Sequence, residues 1–67
     1  MTKHVPDTEI IAAATALIET NGFLRAKAKA DEMIESWRGS TVADANEGRD
    51  NWERIRAAVV VMEALQV

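Results

Sequence analysis

"ALIETNGFLRAKA" (residues 16–28) is the stretch on which the fold turns. Two segments with helical apolar spacing meet at Asn21-Gly22 with almost nothing between them. Glycine takes the left-handed conformation after a helix without a Cβ penalty, so the pair reads as a helix stop. On that reading each side is a helix of its own. A link of a residue or two favours an antiparallel or steeply crossed pair.

Upstream lies "VPDTEIIAAATALIETNG" (residues 5–22). Ile10, Ala14, Leu17 and Ile18 recur at helical spacing, with Ile11 widening the stripe. Asp7 or Thr8 is the expected N-cap, Pro6 stiffens the approach and Glu9 suits the positive end of the helix. The first helix is expected over roughly 7–20. Downstream, "FLRAKAKADEMIESWRG" (residues 23–39) puts Phe23, Ala26, Ala30, Met33, Ile34 and Trp37 on one face. A second helix is expected over 23–38, ended by Gly39.

The remainder, "GSTVADANEGRDNWERIRAAVVVMEALQV" (residues 39–67), has a firm pattern only from Trp52. Trp52, Ile55, Val59, Met62 and Leu65 or Gln66 form a core stripe, with Ala58 beside it. Asp50 with Arg54 and Glu53 with Arg56 are at ion-pair spacing along the helix. The start is open. Thr41 with Asp44 makes a capping pattern, or residues 39–46 form a loop and Asp44 or Asn46 is the cap. A start near Asp44 is preferred, giving a third helix over 44–66. Gly48 then lies inside it, either to permit a close helix–helix approach or as a tolerated glycine. The expected fold is all-α: a compact three-helix bundle, one domain over 1–67, with 1–6 a flexible tail.

Composition agrees with helix. The chain is 48% hydrophobic and 28% charged, which is globular rather than disordered. At 67 residues the core is small, and without cysteine no disulfide or thiolate zinc site supports it. No apolar run approaches the ~18 residues of a membrane span, and "MTKHVPDTE" has no apolar signal-peptide core. A cytoplasmic protein is the expectation. The net charge of −3 disfavours a protein that binds duplex DNA through its phosphates.

The valine triplet raises a separate question. Val59 belongs to the core stripe and Val61 sits at its edge. Val60 lies on another side, in line with Arg56, Ala64 and Val67, where a monomeric helix should be polar. Either this helix is central and touches both others, or two copies meet through it as a homodimer.

The arrangement resembles a group of small, uncharacterised, alanine-rich helical proteins of alphaproteobacterial type, a domain of unknown function. The resemblance rests on Asn21-Gly22, on Ala30-Asp31, and on Gly48, Trp52, Ile55, Ala58, Val59 and Met62. It covers most of residues 10–65, and this chain departs from it in a longer loop at 39–46. It implies a small cytoplasmic helical accessory protein, and there is no established activity to carry over.

No catalytic set emerges. His4 is the single histidine and stands in the expected tail, with no base–nucleophile–orienter arrangement around it. Asp31 and Glu35 share a helix face, but a dicarboxylate metal site draws further ligands from other helices, often with Glu-x-x-His, which is absent. They read as a solvated acidic face. No cofactor and no metal is expected. Trp37 and Trp52 are most economically core anchors; exposed, they would mark a binding hot spot.

The residues therefore point to a non-enzymatic interaction or regulatory protein, binding a protein partner or itself. The candidate contacts are Val60, Ala64 and Val67 on the last helix, and the acids Asp31, Glu35, Glu47 and Asp50. With Glu32, Asp44 and Glu53 these acids suggest an inhibitor that occupies a basic channel, in the manner of an anti-CRISPR protein or an antitoxin. The alternative is a small nucleic-acid-binding regulator, which needs Arg25, Lys27, Lys29, Arg54 and Arg56 to converge.

Overall fold

The computed structural model describes residues 5–66. It is all-helical among these residues, but the expected three-helix bundle is overturned. There are two helices, α1 (Asp7–Arg38) and α2 (Ala45–Ala64), packed together as a hairpin. Helical structure runs on through the Asn21-Gly22 stop. Gly22 is the one residue inside α1 with non-helical backbone angles, φ 81° and ψ 166°. That combination is essentially open to glycine alone. Just before it, Thr20 Oγ1 donates to the Ala16 carbonyl at 2.9 Å and Asn21 Nδ2 donates to the Leu17 carbonyl at 3.0 Å. Such back-bonding by short polar side chains bends helices.

The interruption folds α1 back on itself. A straight helix of 32 residues would run about 48 Å, yet the molecule measures 39 × 22 × 17 Å. The contacts give the direction. In the N-terminal arm (7–21), Asp7 meets Arg54 and Thr15 meets Met62, so both numbers rise together. In the C-terminal arm (23–38), Lys27 meets Glu63, Asp31 meets Arg56 and Trp37 lies against Gly48, so one rises as the other falls. The two arms run along α2 in opposite senses.

The core is thin. Ile10, Ala14, Ala26, Ile55 and Val59 form its centre, with Leu17, Ile18, Phe23, Trp52, Ala58 and Met62 packed around it. Ala30, Ile34 and Ala45 are also buried, and Val59 is the largest fully buried side chain. Ile11 does not widen the stripe but is 50% exposed.

The boundaries differ in informative ways. Neither Asp7 nor Thr8 caps α1; Pro6 is the N-cap, and its carbonyl accepts from the Glu9 and Ile10 amides. Val5 packs against the core and its carbonyl accepts from Arg54 at 2.7 Å, so the packed chain begins before the expected end of the tail. Residues 1–4, including His4, and residue 67 lie outside the described residues. Asp44 is the N-cap of α2, as preferred, although its side chain makes no capping bond. The ending of α2 is one turn of backbone bonding, with Leu65 as C-cap.

Candidate functional site

The candidate site is the outer face of the C-terminal half of α2. Its orientation follows from which side chains the arms of α1 hold. The pairs expected along the helix, Asp50–Arg54 and Glu53–Arg56, do not form. Arg54 instead crosses to the N-terminal arm, donating to Asp7 Oδ1 at 2.6 Å and to the Val5 carbonyl. Arg56 crosses to the C-terminal arm, donating to Asp31 Oδ1 at 2.6 Å, and Glu63 accepts from Lys27 at 2.8 Å. An arginine has the reach to span a helix–helix gap, and its fork suits a carboxylate. With Arg54 on one flank and Arg56 and Glu63 on the other, α2 is held between the arms with Ile55 and Val59 inward.

That rotation decides the fate of the valines. Two residues turn a helix by about 200°, so Val61 points away from the buried Val59. Val60 is 39% exposed, Val61 56% and Leu65 77%, and Ala57 and Ala64 are exposed among them. The expected core role of Leu65 is therefore corrected, and Val61 and Leu65 join Val60 and Ala64 on the open face. Val67, the remaining residue expected there, lies outside the described residues. One turn before Lys27, Leu24 is 78% exposed on α1. The Lys27–Glu63 bridge places it beside the same end of α2.

The acidic candidates divide. Asp31 is bridged to Arg56, Glu35 to Arg38 at 2.7 Å, and Glu53 approaches Arg49 at 4.0 Å. Glu32, Asp44, Glu47 and Asp50 have no ion-pair partner among the described residues; Glu47 is half-buried and the others are exposed. Asp50 lies on the same line of α2 as Ala57, Val61 and Ala64, so the outer face runs from acidic to apolar along the helix. The basic candidates are split as well. Lys27, Arg54 and Arg56 are each engaged by a carboxylate, leaving Arg25 and Lys29 exposed on α1. Trp52 is half-buried against the core, and Trp37 is half-buried over Gly48.

Among the described residues, no three His, Cys, Asp or Glu side chains are grouped so as to hold a metal ion. No described helix is long and apolar enough to cross a membrane. Comparison with protein-family models, with curated proteins and with solved structures found no match.

What sequence reasoning missed is the part played by Val61 and Leu65. The signal was present in Arg54 and Arg56. A pair of arginines two apart, on opposite flanks of a helix otherwise apolar inward, fits cross-helix pairing to two elements better than pairing along the helix.

Proposed function

We propose that the chain is a non-enzymatic interaction protein that docks the outer face of α2 into a groove on a protein partner. The observation that carries this reading is the exposure of Val60, Val61 and Leu65 at the C-terminal end of α2, outside the strip that buries Ile55 and Val59. An amphipathic helix that offers a second apolar face has the pattern of helix-in-groove recognition. Asp50 and Glu47 stand N-terminal to the apolar part, so a matching groove is apolar at one end and basic at the other. The inhibitor reading is retained in this narrower form, resting on Asp44, Glu47 and Asp50 rather than on Asp31 and Glu35.

The test is site-specific photo-crosslinking in the source cell, with a benzophenone side chain at Val61 and, as a control, at the exposed Glu19 on α1. Adducts formed at Val61 and not at Glu19, and lost on Asp50→Lys, support the reading. An adduct at twice the mass of the chain identifies the partner as a second copy. Equal labelling at both positions, or none, removes it.

A further inference from the structure

The reversal of α1 is made by one residue. Gly22 alone departs from helical angles, and helical structure resumes at once on either side. A Cβ at this position would meet nothing within 4 Å, so nothing crowds the turn itself. The reversal is kept closed by what the arms grip on α2: Ile10 and Ala14 against Ile55 and Val59, Asp7 with Arg54, Thr15 beside Met62. Glycine holds this backbone conformation without a Cβ penalty and is also allowed in a helix, at a modest cost relative to alanine, so this one residue can serve both a folded-back and a straight α1.

A second copy can supply all of those grips. If Gly22 straightens, α1 becomes one helix of about 48 Å and its N-terminal arm leaves its own α2. The same arm of another chain can then occupy the vacated surface with every contact preserved, because the partner surface is identical. Exchange of this kind keeps the arm's contacts with α2, and a one-residue hinge makes it a low-cost route to a dimer. We propose that Gly22 is a hinge through which two copies of this chain exchange residues 7–21, giving a dimer in which each α2 is covered by the N-terminal arm of the other copy. The outer face of α2 is not used in this exchange, so the inference is independent of the docking reading above.

The chain has no cysteine, so spin labels can be placed without background. Thr8 and Ser36, both exposed, flank the two arms near their ends. In the folded-back chain both lie by the same stretch of α2, whereas in a straight helix they stand about 42 Å apart. The experiment uses full-length Gly22→Ala, which disfavours the fold-back and favours helix. Doubly labelled chains are diluted into excess unlabelled chain, and the electron–electron distance is read within one chain. Mass is measured in parallel by sedimentation. The expected result is a dimer at least roughly 100-fold tighter than wild type, from relief at two hinges, with the intrachain distance shifted to the long value. A monomer with a short distance, or a dimer with a short distance, overturns the proposal; the second outcome is association through an outer face. If Gly22→Ala does not fold, wild type decides, warmed near its unfolding midpoint at high concentration and cooled. Oligomers holding the long distance support the exchange, and only short distances in every species overturn it.

Discussion

The indole of Trp37 fills the space beside Gly48: a Cβ at Gly48 would stand 2.5 Å from Trp37 Cε2 and 2.6 Å from Cδ2. These are ring-fusion atoms of a rigid plane, not the end of a flexible chain. Gly48 is thus a point of close approach between the C-terminal arm of α1 and α2, and Trp37 is the side chain that its missing Cβ admits.

Two effects of opposite sign meet in Gly48→Ala. Alanine favours the helix by about 1 kcal/mol, while displacing a packed indole costs about 1–3 kcal/mol. The clash should win, and urea unfolding should show net destabilisation. In a Trp37→Leu background the obstacle is gone, so the same Gly48→Ala change should stabilise. A stabilising effect in both backgrounds would show that Trp37 moves aside freely.

The cross-helix arginine should matter more than the local one. Arg54 donates to both Val5 and Asp7 and is partly buried, whereas Arg38 pairs with Glu35 a turn away on an exposed surface. A charge-assisted bond that ties two elements is worth about 1–2 kcal/mol, an exposed pair within one helix under about 0.5. Arg54→Ala should therefore lower the urea midpoint clearly and Arg38→Ala hardly at all. Equal effects would mean that Arg54 adds no tie between the arm and α2.

The helical class, the burial of Ile10, Ala14, Ala26, Ile34, Ile55 and Val59, and the start of α2 after Asp44 were legible in the sequence, because apolar spacing reports burial directly. The close approach at Gly48 was one of two stated alternatives. The helix count was not legible. Asn21-Gly22 carries the signal of a stop, but the distinction between a stop and a one-residue interruption depends on what the arms find on α2. The ion-pair partners of Arg54 and Arg56 were misjudged for a similar reason. Neighbours along a helix are visible in sequence, and Asp7 and Asp31, the actual partners of Arg54 and Arg56, lie 47 and 25 residues away.

Val59 and Leu65 set the inner and outer faces of α2 against each other. Val59 is fully buried and touches the centre of the core, while Leu65 is 77% exposed. Removing two methyl groups from a buried valine forfeits their transfer energy and leaves a cavity, together about 2 kcal/mol or more. A chain of this size with an alanine-rich core has only a few kcal/mol in hand, so Val59→Ala should be partly unfolded near physiological temperature by circular dichroism. Leu65→Ala removes a larger side chain and should change the unfolding free energy by less than about 0.5 kcal/mol, because in the isolated chain little covers it. The contrast also separates fold from docking. If Leu65→Ala leaves stability intact but lowers crosslinking from Val61, the leucine serves the partner face. If Leu65→Ala proves as destabilising as Val59→Ala, that end of α2 is turned inward and the outer face is smaller than described.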